Sequence, residues 1–140
     1  MSGVLELVSR EDIEQFLNRL SVEGTTWREV EQGLWVIRPS GDLDLDVVVN
    51  YAPPVVLLRV NVMELPKDAA ALARLTRQLL EWNAKDLVHG SYGIQGETVL
   101  LTESLQLSHL DYDEFLAAYE SMTLALPEHL RVLAAYREGR

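Results

Sequence analysis

Hydrophobic positions along this chain change period several times, and each change marks an element. Ile13, Phe16, Leu17 and Leu20 fall at i, i+3, i+4 and i+7, the spacing of one helical face. Ser9 stands ahead of Arg10-Glu11-Asp12 as an N-cap with acids in the first turn, and Gly24 lies just past the end. The period then drops to two. Thr25–Val30 and Leu34–Arg38 flank Gln32-Gly33, which predicts two strands joined by a tight turn. Leu43, Leu45, Val47 and Val49 alternate with Asp42, Asp44, Asp46 and Val48, predicting a half-buried strand with one wet face. Pro53-Pro54 belongs in a loop, since neither residue can donate to a ladder. Val55–Met63 is apolar on both faces except at Arg59 and Asn61, and reads as a central strand covered on both sides.

Helical spacing returns after Pro66, with Leu72, Leu75, Thr76, Leu79 and Leu80 leading to Trp82-Asn83. Asn83 is the candidate left-handed residue that ends this helix. Gly90, Gly93 and Gly96 punctuate a hairpin between Leu87 and Leu107. A last helix opens at Asp111, with Glu114 completing an Asp version of the capping box. Its stripe is Phe115, Tyr119, Met122, Leu126, Leu130 and Leu133, and Pro127 predicts a kink or break near Leu126. The order predicts an α+β fold: helix, antiparallel strand block, helix, β-hairpin, long C-terminal helix. With no repeat or linker, residues 1–140 read as a single domain.

Composition narrows the function classes. A hydrophobic content of 48% is enough for a real core, and the absence of cysteine excludes disulfides, thiolate catalysis and Cys-ligated zinc. The first residues lack a basic stretch followed by a long apolar one, and runs such as Val55–Leu58 are strand-sized, so the expectation is a cytoplasmic protein with no membrane segment. Acids outnumber bases 22 to 12, giving a net charge of −10. Such a field repels phosphate backbones, so no direct contact with nucleic acid is expected, whereas it attracts a basic protein surface.

The motifs bearing on chemistry are incomplete. Asp42, Asp44 and Asp46 have the D-x-D-x-D opening of a calcium loop, but Val47 stands where the turn glycine belongs and Pro53 where the bidentate Glu belongs. On a strand the three carboxylates form a solvated or aggregation-guarding face, or a contact for a basic partner. His89-Gly90-Ser91-Tyr92-Gly93 differs from a nucleophile elbow in having His89 at the first glycine position and a strand, not a helix, after the turn. His89, His109 and His129 fall in different elements with no metal-binding spacing, and His129 reads as a surface or boundary residue. No catalytic residue, metal ligand or cofactor is therefore assigned. Trp82 reads as a core or subunit-contact residue. Trp35 and Ile37 share a strand face opposite Leu34 and Val36, so that strand needs cover from helices or from another chain.

The stretch Leu79-Leu80-Glu81-Trp82-Asn83, then Gly90-Ser91-Tyr92-Gly93-Ile94, then Val99-Leu100-Leu101-Thr102-Glu103 resembles the YbjN family. The whole layout resembles the type III secretion chaperone-like fold of the CesT and Tir chaperones. That resemblance implies a non-enzymatic, usually dimeric protein-binding module, in a family associated with stress responses and regulation. On it rests the expectation of a homodimeric adaptor that binds a client protein through apolar patches and an acidic surface. Trp35, Ile37, Val48 and Tyr51 with Asp42, Asp44 and Asp46 are the candidate partner-binding residues. Leu75, Leu79, Trp82 and Tyr92 are the candidate dimer residues. The alternatives are an acidic regulator that occupies the basic face of a nucleic-acid-binding protein, in stress or DNA repair, and a small hydrolase.

Overall fold

A computed structural model describes residues 7–21 and 24–137. Chain order is α1 (Arg10–Leu20), β1 (Thr26–Glu31), β2 (Leu34–Arg38), β3 (Val47–Ala52), β4 (Val55–Glu64), α2 (Ala69–Lys85), β5 (Ser91–Gln95), β6 (Thr98–Gln106) and α3 (Tyr112–Arg137). The strands form one six-stranded sheet in the order β1-β2-β3-β4-β6-β5. Every pairing is antiparallel. The expected α+β arrangement is therefore present, with the strand block and the hairpin fused into a single sheet by the β4–β6 pairing.

Local chemistry explains the helix starts. The Ser9 hydroxyl accepts the Asp12 N–H at 3.1 Å, and the Asp12 carboxylate accepts the Ser9 N–H at 3.0 Å, closing a capping box on α1. Asp111 and Glu114 exchange the same pair of bonds, at 2.8 and 3.2 Å, ahead of α3. Asp68 caps α2 by accepting the Ala71 N–H at 2.9 Å, so that helix begins at Ala69 rather than at Pro66.

Four elements depart from the sequence reading. The strand expected from Asp42 begins only at Val47. The β2–β3 ladder ends at Ile37↔Val47, so residues 42–46 have no strand beside them. They curve instead around Arg38, whose guanidinium takes Asp44 at 3.0 Å and Asp46 at 2.9 Å. Central β4 is covered on one face only: Val56, Leu58, Val60 and Val62 are buried, whereas Leu57, Arg59 and Asn61 are exposed. Asn83 does not end α2; it is helical and its amide serves another purpose, described below. α3 runs unbroken through Pro127, because buried Leu126, His129 and Leu133 keep one packed face on both sides of the proline.

The core lies between the helices and one face of the sheet. Ile13 and Leu17 of α1, Leu75 and Leu79 of α2, and Phe115, Met122 and Leu126 of α3 pack with Trp35, Ile37, Val49, Leu58, Val60 and Leu101. Among the described residues no helix lies over the opposite face of the sheet, where side chains are half-buried or exposed.

Candidate protein-binding surface

The antiparallel register places residues on the open face in rows that cross the sheet. One row reads Arg28, Val36, Val48, Arg59, Thr102, Ser91 from β1 to β5. Beside it run Leu34, Asn50, Leu57 and Ser104. On the other side Asn61, Leu100 and Gly93 continue the pattern. The twist of the sheet leaves a shallow hollow of about 310 Å³, lined among others by Leu34, Val48, Leu57, Arg59, Leu100 and Thr102. Leu57 is 37% exposed, and Leu34, Val36, Val48 and Leu100 are half-buried. A large apolar patch left open in a small domain marks a contact surface.

The structure splits the candidate partner-binding residues. Trp35 and Ile37 lie beneath the helices with no exposed surface. The Trp35 indole N–H donates to Glu14 of α1 at 3.2 Å. The cover that this strand needed on that face thus comes from within the chain. Val48 stands on the open face, two strands from the β1 end of its row. Tyr51 is half-buried on the helix side and its hydroxyl donates to the Val8 carbonyl at 2.9 Å. Asp42, Asp44 and Asp46 sit in the β2–β3 loop, the latter two on Arg38. Of the expected set, the central open-face rows hold Val48 alone. Leu34, Leu57, Arg59, Leu100 and Thr102 were not anticipated there. Their signal was the alternation within Val55–Met63, in which Leu57, Arg59 and Asn61 occupy every second position.

The candidate dimer residues also turn inward. Leu75, Leu79, Trp82 and Tyr92 are all buried within one chain. Trp82 and Tyr92 surround His129, which is 4% exposed and not at the surface as its sequence suggested. The His129 ring stacks on Trp82 with centroids 3.8 Å apart and planes 1° from parallel. Its Nδ1 lies 2.7 Å from the Tyr92 hydroxyl and its Nε2 3.2 Å from an Asp86 carboxylate oxygen. Burial first, and Asp86 second, push the Tyr92 phenol well above its usual value, so the hydroxyl keeps its proton. The Asp86 carboxylate can only accept, so Nε2 carries the proton between them and Nδ1 accepts from the Tyr92 hydroxyl. This cluster ties α3 to α2 and β5, and both ring nitrogens are satisfied.

Asn83 closes part of the sheet edge. Its amide nitrogen donates to the Tyr92 carbonyl at 3.1 Å and its oxygen accepts the Tyr92 N–H at 2.7 Å. The side chain thus supplies the two bonds a further strand would make on edge strand β5. Asn83→Ala is expected to lower stability by about 1–3 kcal/mol, because two backbone groups lose their partner. Urea denaturation would measure it.

His89 and Glu103 pair at 3.2 Å, and Glu103 also accepts the Gly90 N–H at 3.3 Å. Ser91 is exposed and alternates away from buried Tyr92, so it does not join them. Ser121 bonds the His89 backbone N–H at 3.1 Å. The arrangement fixes the turn into β5 and assembles no nucleophile with its base. Among the described residues, no group of three or more His, Asp or Glu side chains could hold a metal ion. No helix among them is long and apolar enough to cross a membrane.

Two tyrosines give the fold an alkaline limit. Burial pushes the Tyr119 phenol up to about 12, and Tyr92 is raised in the same direction. Below the ordinary value of 10 both phenols are protonated whether the chain is folded or not, and their contribution is complete. Above it the unfolded chain releases these protons first, so stability is expected to fall as pH rises from about 10 through the folded values. Urea midpoints, followed together with tyrosinate absorbance over that range, check the sign.

Comparisons with known proteins agree with this architecture. Among curated proteins none matches the sequence. A chain of the heterodimeric ExoU–SpcU complex from the type III secretion system of Pseudomonas aeruginosa superposes with a TM-score of 0.66 at 13% identity, covering 90% of this chain and 98% of that one. YbjN from E. coli, described as a putative transcription regulator, superposes with a TM-score of 0.61 at 15% identity, covering 89% and 93%. The CesT_Tir_1 family model matches residues 7–138, from the start of the described fold through its last helix, and the chain belongs to that family.

Proposed function

We propose that this protein is a non-enzymatic, chaperone-like adaptor that acts as a single homodimeric domain and holds a client protein. The observation that carries the reading is the sheet covered on one face only, with half-buried Leu34, Val36, Val48 and Leu100 around exposed Leu57 on the other. Membership of the CesT_Tir_1 family supports it, as does the fold shared with a chain of the ExoU–SpcU complex. The fold shared with YbjN keeps a regulatory role for the bound partner in view. A net charge of −10 speeds encounter with a client whose overall charge is basic.

Affinity capture from a native lysate tests this. Wild type is expected to retain a specific protein that Val48→Asp loses while remaining folded. Retention equal to background, or identical retention by both proteins, defeats the reading. A second reading, an acidic regulator seated on a basic protein, predicts that neutralising Asp42, Asp44 and Asp46 abolishes binding and that salt weakens it steeply. The ion pairs of Asp44 and Asp46 with Arg38 already balance part of that charge.

A further inference from the structure

A second concavity lies on the helix side, away from the open sheet face. It holds about 400 Å³ and sits where the last turn of α1 and the first half of α3 meet the start of β1 and the loop after β2. That volume is in the range of small-molecule pockets. Leu20, Leu43 and Leu116 supply an apolar wall, the first two of them buried. Two opposite charges, Arg19 and Glu120, line it as well. Arg19 rests on the Tyr112 ring at 3.9 Å, and neither it nor Glu120 forms an ion pair among the described residues. The third polar feature is Tyr119, which is 7% exposed and whose hydroxyl has no hydrogen-bond partner among the described residues. The nearby Thr25 hydroxyl accepts the Ser40 N–H at 3.3 Å and lacks the geometry to bond it. Burial, with the Glu120 charge acting in the same direction, keeps the Tyr119 hydroxyl protonated and able to donate. An unpaired buried hydroxyl is costly, and a ligand carbonyl that reached it would remove that cost.

The charges decide what fits. A simple anion on Arg19 would face Glu120 and the net charge of −10, and a simple cation on Glu120 would leave Arg19 unanswered. A molecule that carries both charges answers both. Glu120 stands two turns beyond Tyr112 on α3, about 12 Å of helix. Both charges sit on long side chains, which shortens the gap a ligand must bridge. A single amino acid carries its two charges on one residue and is too short, whereas two or three extended residues reach about 7–10 Å. We therefore propose that this cavity binds a free dipeptide or tripeptide with apolar side chains, its terminal carboxylate on Arg19, its terminal ammonium on Glu120 and its side chains against Leu20, Leu43 and Leu116. A backbone carbonyl between the two ends accepts the Tyr119 hydroxyl. An internal segment of a client has neither free end, so this site is distinct from a client-binding surface, and the proposal does not rest on the adaptor reading.

The test is calorimetric titration with leucine, dileucine and trileucine, each also in N-acetylated and C-amidated form. At least one of the two free peptides is expected to bind and to raise the unfolding temperature, and leucine to do neither. Blocking either end should weaken binding about tenfold or more, as loss of a charge-assisted contact does. Arg19→Gln should weaken the free peptide by the same factor and remove its sensitivity to amidation. Glu120→Gln should remove its sensitivity to acetylation. Both side chains are exposed, so neither change threatens the core. Tyr119→Phe should weaken binding several-fold without lowering the unfolding temperature of the free protein, because the hydroxyl it removes has no partner there. Amide shifts should centre on Thr25, Leu43, Leu116 and Thr123. Four results overturn the proposal: no binding by either peptide, equal binding of free and blocked forms, end sensitivities that the two Gln variants leave unchanged, or shifts that map to another surface. In any of these cases a client retained by capture would leave the adaptor reading standing.

Discussion

Trp35→Ala is expected to destabilise the fold by about 3–5 kcal/mol, the largest loss from any single truncation considered. Trp35 has no exposed surface and fills the space between α1 and the sheet. Its removal leaves a cavity that Ile13 and Leu17 on the helix side can close only in part. The same change strips Glu14 of the indole N–H that it accepts at 3.2 Å. Urea denaturation with an unchanged m-value would isolate the stability term. Val48→Asp, at a half-buried position on the open face, should cost about 1–2 kcal/mol, well below the core truncation. The contrast separates a core residue from a docking one. A Trp35→Ala protein as stable as wild type would place the indole outside the core. Any loss of client by Trp35→Ala must therefore be read beside its unfolding, whereas loss by Val48→Asp reports on the surface.

His129→Ala is expected to cost about 3–4 kcal/mol, from a buried cavity and two polar partners left unanswered. The ring stacks on Trp82, takes the Tyr92 hydroxyl at 2.7 Å and reaches Asp86 at 3.2 Å. Tyr92→Phe removes only the hydroxyl and should cost about 1–2 kcal/mol. The double change should cost less than the sum, because the two side chains share one network. A double-mutant cycle by denaturant unfolding measures that coupling. Additive losses would mean that the tyrosine and the histidine act independently. The cluster couples three separate elements, so its loss should also raise hydrogen exchange across β5 relative to β3.

Reading surfaces from sequence alone succeeds where a rule is local and fails where it depends on what lies across the core. Leu34–Ile37 shows the difference. Alternation established that Trp35 and Ile37 share one face and Leu34 and Val36 the other. It carried no information on which face the helices would cover. Val55–Met63 looked apolar on both sides because Leu57 is large and hydrophobic, yet Leu57 faces outward and Val56 and Leu58 inward. Arg59 and Asn61 were the true indicators of the wet side. The aspartates at 42, 44 and 46 have strand periodicity, but β2 stops at Arg38 and gives them no neighbour to pair with.

By itself the sequence determined the order of helices and strands, the Ser9 cap and the Asp111–Glu114 capping box, the antiparallel hairpins and the amphipathic stripe of each helix. These depend on short spacings, fixed by backbone geometry and by the few side chains able to bond free amides. Tertiary structure alone decided that β4 joins β6 and merges two strand groups into one sheet. It decided that Asn83 bonds an edge strand instead of ending a helix, that His129 is buried against Trp82, and that no helix among the described residues covers the Arg59-centred face. Each of those outcomes depends on contacts between residues far apart in the chain, where packing and polar satisfaction outweigh local preference.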